Sequence, residues 1–176
     1  RETCRYLLKI NHQRKSEINS YLNELNNYEP GTKFTGNKYF WQSDFMVHRR
    51  RNFYFSLKMA SERTIGSENG NGENQKGYYM GHGVHFIKRK GDEYDDIFPV
   101  WNWRQLPGLI CQQSEAPLPL IEWGKGAKGQ TSFVGGVSDG EMGFTAYDYR
   151  RNNLSAKRSW FLFDDCMVHL ASDITC

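Results

Sequence analysis

The amino-acid sequence predicts an all-β fold, an antiparallel β-sandwich led in by an N-terminal helix. Three observations carry that expectation. The 11 Phe, 10 Tyr and 5 Trp favour strands, and 17 Gly punctuate them. Apolar and polar residues alternate over several short runs, the period of a pleated strand. Only the first stretch keeps a helical period. At 38% hydrophobic over 176 residues, the chain carries enough apolar surface for a packed core, which excludes a disordered tail. No apolar run approaches the ~18 residues of a membrane span.

Taken in order, Ile18, Tyr21, Leu22 and Leu25 recur at helical spacing, with Leu7 and Ile10 extending the stripe upstream. Asn26 and Asn27 mark its end, and Glu29-Pro30-Gly31 is a turn that a helix does not cross readily. After Gly36 the period becomes two. Phe53, Phe55, Leu57 and Met59 share one face of a strand, and Tyr54, Ser56 and Lys58 the other. Tyr78, Met80, His82, Val84 and Phe86 alternate in the same way, which predicts a second strand ending at the charged turn Lys88 to Asp92. Further strands are expected at Ser132–Val134, Gly143–Tyr147, Ser159–Phe163 and Cys166–Leu170. Turns rich in Gly, Asp and Asn separate them, so stacked antiparallel sheets follow.

Two loops stand out chemically. Gly66 to Asn74 holds three Gly, three Asn and two Glu in nine residues. Asn and Gly tolerate left-handed backbone, so a hairpin connection accounts for the composition. The same residues on a rigid scaffold could serve a ligand, since a carboxamide donates hydrogen bonds to a carboxylate without bringing a charge of its own. The second loop, Gly91 to Trp103, packs Asp92, Glu93, Asp95 and Asp96 into five positions. Such acids are either solvated or bridged by a hard cation such as Ca²⁺. Trp101 and Trp103, two apart, face the same way on an extended segment and suit either a core or a platform for sugar rings.

Other constellations exclude more than they suggest. With 23 Lys and Arg against 20 Asp and Glu, the charge is too balanced for a dedicated nucleic-acid binder. The run His48-Arg49-Arg50-Arg51 reads as a solvated strand entry that could touch an anion. His82 and His85 fall on opposite strand faces and do not make a metal pair. Cys4, Cys111, Cys166 and Cys176 lack CxxC spacing, which disfavours a zinc or redox motif; they read mainly as free or buried thiols, with one or two disulfides of a secreted protein as the alternative. No GxSxG, Walker, HExxH or GxGxxG pattern is present.

The blocks Trp41–Arg50, Asn71–Tyr79, Gly91–Tyr94, Ile97–Trp103, Leu106–Gly108 and Phe133–Gly140, in unbroken order, resemble the central region of the family 8 polysaccharide lyases. The resemblance runs from about Tyr39 to Leu170. It implies a parent with a helical toroid upstream, a large antiparallel supersandwich and a small C-terminal β domain. Residues 1–30 would then be a helical linker from the toroid, and 31–176 the first part of the supersandwich. The implied activity is β-elimination in uronic-acid polysaccharides of the chondroitin or hyaluronan type. In that chemistry an Asn of the supersandwich and a toroid His neutralise the uronate, a toroid Tyr moves the protons, and a Glu orients a toroid Arg.

Carried onto this chain, Asn71 matches the carboxylate-neutralising Asn and Glu68 the orienting Glu. A second register, Asn74 with Glu73, also fits the crowded loop. Asn74, Trp101 and Trp103 are the expected substrate contacts, and Glu93 and Asp95 the ligands of a Ca²⁺ that some relatives carry. Asn102 stands where many relatives have Asp, which weakens that site. The toroid His, Tyr and Arg have no counterpart here, so the isolated chain is expected to be inert. The resemblance further implies a secreted or periplasmic bacterial protein with an acidic polysaccharide substrate. The competing reading is a non-catalytic, secreted carbohydrate-binding β-sandwich.

Overall fold

A computed structural model describes residues 1–10, 13–27 and 35–176. His12 and the Glu29–Gly31 turn, with the boundary expected there, lie outside the described residues. The apolar stripe at the N-terminus forms two helices where one was expected, α1 (Glu2–Lys9) and α2 (Lys15–Asn27). Neither is long and apolar enough to cross a membrane.

The strands are β1 (Gly36–Phe40), β2 (Phe45–Arg49), β3 (Tyr54–Lys58), β4 (Ile65–Ser67), β5 (Val84–Lys88), β6 (Ala127–Lys128), β7 (Val134–Ser138), β8 (Gly143–Arg151), β9 (Leu154–Leu162) and β10 (Met167–Thr175). They assemble into two four-stranded antiparallel sheets, ordered β1-β2-β3-β5 and β10-β9-β8-β7, and a small β4-β6 ladder. Alternation explains the layering. Met46 of β2 and Phe55 and Leu57 of β3 point inward from the first sheet. They meet Tyr147, Tyr149, Ala156, Trp160 and Leu162 of the second. This interface is the main core, and full burial of one such apolar side chain stabilises by about 1.5–3 kcal/mol.

Polar groups buried between the sheets are tied across the interface. His48 Nε2 lies 2.9 Å from the Phe163 carbonyl oxygen. The Arg158 guanidinium donates to the carbonyls of His82 (2.9 Å), Gly83 (3.1 Å) and Gly108 and stacks 4.6 Å from the Trp160 ring centre. Arg50 is buried against Glu141 (2.6 Å) and Asp164 (3.0 Å). The His48–Arg51 run is thus not simply a solvated strand entry, because His48 and Arg50 hold the two sheets together. All four cysteines are free.

The alternating stretch Tyr78–Phe86 is not one strand. A single 3₁₀ turn occupies Gly77–Tyr79, and β5 begins only at Val84. Gly81 explains the break, since a Cβ there would sit 2.1 Å from the Gly66 Cα, so the two backbones touch directly. The strand expected at Ser132–Val134 starts at Val134, while the last two expected strands extend to nine residues each.

Candidate functional site

The site is built outward from a buried carboxylate. Asp44, 1% exposed, accepts hydrogen bonds from Tyr39 Oη (2.8 Å), Ser61 N (3.2 Å), Ser61 Oγ (2.8 Å) and Thr64 Oγ1. A buried charge is stable only when its lone pairs are met in this way. The cluster pins residues 61–64, where the chain leaves the core for β4. Ser61 O also accepts from Gly129 N (3.0 Å), and Glu62 N donates to Thr131 O (2.9 Å), so the approach to β6 is anchored at the same point. Ladder pairs Ile65 with Lys128 and Ser67 with Ala127 then set two loops side by side.

The first of these loops carries Glu68, Asn71 and Asn74. Glu73 N donates to Gly70 O at 2.8 Å, while Asn71 (φ 52°) and Gly72 (φ 76°) are both left-handed. That is the Asn-Gly pattern of a type I′ turn, which closes through backbone alone. The exposed Asn71 side chain makes no hydrogen bond among the described residues. Asn74 behaves differently. Its Nδ2 donates to the Glu68 carbonyl at 2.6 Å, and its amide packs over Gly77, where a Cβ would sit 1.9 Å from Oδ1. Asn74 therefore braces the loop, and Asn71 presents the unengaged carboxamide. The Glu68 and Glu73 side chains are both exposed.

The second loop supplies a residue that sequence reasoning missed. Trp123, 74% exposed, lies against Gly70, with its Nε1 3.2 Å from where a Cβ would stand on that glycine. Trp123 thus presents a flat apolar ring face next to the turn that carries Asn71. The available signal was a lone Trp in the turn-rich run Glu122 to Gly126, but its neighbour could not be read without the β4-β6 pairing.

Trp101 and Trp103 do not form the open platform expected of them. Their segment is turn rather than strand, so the two rings meet edge to face at 5.6 Å and 76°. Both are half-buried against Phe86, Phe98 and the minor core of Tyr79, Val84 and Leu106.

The acidic loop lies at the far end of β5 from Asn71. Both Glu93 oxygens are engaged, Oε1 by Arg89 N (2.6 Å) and Lys90 N (2.7 Å), Oε2 by Gly91 N (2.9 Å). The Lys90 amide and its neighbours hold the carboxyl at a pKa of about 2 despite its full exposure. Asn102 Oδ1 likewise accepts from Arg104 N at 3.0 Å. Among the described residues no three His, Cys, Asp or Glu side chains are grouped to hold a metal ion. As a Ca²⁺ ligand Glu93 fits poorly, because it faces backbone donors where a cation would need bare oxygens; the loop is read as a self-closed turn.

A family model described as "Polysaccharide lyase family 8, super-sandwich domain" matches residues 35–176. The chain belongs to polysaccharide lyase family 8. Family members similar to it include Chondroitinase-AC of Pedobacter heparinus, 40% identical over 136 residues, which cover 77% of this chain and 19% of the relative. Hyaluronate lyase of Thermasporomyces composti is 32% identical over 155 residues, covering 84% and 19%. Among solved family structures, the Streptomyces coelicolor A3 chondroitin AC lyase in complex with chondroitin sulphate superposes with a TM-score of 0.73 at 35% identity. That match covers 83% of this chain and 20% of the lyase. This family 8 chain thus spans about a fifth of the length of the relatives it matches.

Proposed function

We propose that this chain is the supersandwich portion of a bacterial lyase that cleaves uronic-acid polysaccharides by β-elimination. In that reaction the C5 proton leaves, the C4=C5 double bond forms, the C4–O bond breaks, and the departing oxygen takes up a proton. Charge accumulates on the C6 carboxylate as C5 loses its proton. A fixed donor aimed at that carboxylate lowers the barrier more than it tightens binding of the ground state.

Asn71 is the donor, and its geometry carries the reading: an exposed, unpartnered carboxamide on a turn that closes without it. Glu68, six positions from the bracing Asn74, orients an arginine supplied from outside these residues. Trp123 supports the sugar ring next to that amide, and Asn74 acts by holding the loop. The groups that move protons come from an upstream helical domain. The isolated chain is therefore inert, since positioned acid–base catalysis alone is worth about 10²–10⁴-fold. The substrate is an extracellular polymer, which places the parent in the periplasm or outside the cell.

The test is Asn71→Ala in the parent enzyme, assayed by the ultraviolet absorbance of unsaturated product. The expected result is a fall in kcat of about 10²–10³ with KM little changed. Full activity in the variant, or turnover by the 176-residue chain alone, overturns the reading.

A further inference from the structure

We propose a second polysaccharide site, at the opposite end of the first sheet from Asn71, that holds an anionic chain without reacting with it. Pairing of β2 with β3 and of β3 with β5 sets Arg49, Tyr54 and Lys88 in one row on the outward face of that sheet. The row opens into a groove of about 460 Å³ whose lining also includes Arg51, Arg89 and Lys90. Strand β3 runs four steps from Tyr54 to Lys58, so roughly 14 Å of strand separates this groove from the end that leads to the Asn71 loop.

The cations here are differently placed from Arg50, whose charge is neutralised by Glu141 and Asp164. Among the described residues, Arg49, Arg51, Arg89 and Lys90 form no ion pair. Lys88 is held by the Gly91 carbonyl at 3.2 Å, which fixes the ammonium without cancelling it. Glu24, Asp92 and Asp95 are the acids in the lining, and the cations outnumber them. Guanidinium groups without an ion-pair partner, at a strand end (Arg49) and just beyond strand ends (Arg51, Arg89), are suited to carboxylate and sulfate. The order cation, aromatic ring, cation across the three strands fits a sugar face on Tyr54 with anionic substituents to either side. A nucleic acid would need a longer basic track with several stacking rings, and this basic lining stops at one sheet edge. The substrate class is taken from the function proposed above, but the location is not. The consequence is a handle that keeps the polymer attached between cuts, raising its effective concentration at the Asn71 end.

The test is fluorescence anisotropy of the 176-residue chain with a labelled chondroitin sulfate oligosaccharide. The unmodified chain binds, and affinity falls from about 0.1 M to about 1 M salt as the Debye length shrinks from about 10 to about 3 Å. The double variant R49E/R89E weakens binding by about tenfold or more, and the milder R49Q/R89Q by less, with unchanged circular dichroism. N71A weakens binding by less than R49Q/R89Q does. Binding unaffected by either double variant, or abolished by N71A, overturns the groove while leaving the Asn71 reading intact. An equal affinity for a single-stranded DNA of matched charge also overturns it, in favour of a general polyanion surface. Loss of binding in the groove variants with full lyase activity in the N71A parent would instead sustain the groove and sink the catalytic assignment.

Discussion

The two polar loops of this chain, residues 68–74 and 89–95, both carry carboxylates on tight turns, and they have opposite structural logic. Both are largely exposed; the first follows β4 of the small ladder, and the second follows β5 of the first sheet. In the first, backbone closes the turn through Glu73 N and Gly70 O, and the side chain of Asn71 is left over. In the second, a side chain closes the turn, and Glu93 is consumed by three amides. Composition alone does not distinguish a site from a self-satisfied turn. What distinguishes them is whether the backbone donors are met by other backbone or by the chemistry-bearing groups themselves.

The loops also differ in what supports them, and the largest expected effect tests this. The 68–74 loop depends on Asp44, whose partners lie at Tyr39, Ser61 and Thr64. Asp44→Ala leaves those donors unmet in the interior, and the expected loss is about 3–5 kcal/mol of stability. Hydrogen exchange in the variant should rise across residues 61–80 and stay unchanged at 89–95. Equal exchange in both loops would show that they do not differ in this way.

Next in size is the choice of acid beside Asn71. Glu68→Gln in the parent should lower kcat by about tenfold or more, because the incoming arginine loses its charged partner. Glu73→Gln, with the same exposure and only a turn amide in use, should leave kcat within about twofold. A reversed pattern assigns the orienting role to Glu73 and moves the register by one side of the turn.

The sandwich was legible because strands such as Phe53–Met59 and those within Gly143–Leu170 keep strict alternation, which burial on one face requires. The Asn71 turn was legible because Asn-Gly has one favoured hairpin geometry. The break at Gly81–Gly83 was not, since apolar alternation continues through it and only backbone contact with Gly66 reveals why a strand cannot. The Asp44 cluster is spread over the 26 positions from Tyr39 to Thr64, with no local pattern to mark it. Trp123 was missed because its approach to Gly70 depends on strands of three and two residues, too short to leave a period. Trp101 and Trp103 were placed on one face by assuming extended backbone, and their segment is a chain of turns.

A smaller effect sharpens the second loop. The Glu93 pKa is lowered from 4.5 to about 2, chiefly by the Lys90 amide, so the folded chain binds fewer protons there than the unfolded one. Its contribution is present above pH 4.5 and is lost as pH falls toward 2. Solvent screening at this exposed position keeps it below about 1 kcal/mol, roughly 2–4 °C or less in Tm. The difference in Tm between the unmodified chain and Glu93→Gln should therefore shrink on acidification from pH 5 to pH 3. Taking the difference removes the common acid response of His85 and His169, whose burial lowers both to about 4. A difference that grows on acidification would contradict the assignment of Glu93 as a charged turn acceptor.

The smallest expected effect is from calcium itself. A cation binding the folded chain alone raises stability by about 2.7 kcal/mol when present at a hundred times its dissociation constant. With Glu93 facing three amides, the acidic loop should give no such gain, and millimolar Ca²⁺ or a chelator should leave Tm unchanged to within about 1 °C. A rise of several degrees that disappears in Glu93→Gln and Asp95→Asn would mean the loop opens to bind, exchanging amide donors for a cation. The two loops would then be alike after all, each holding its functional groups available to a ligand.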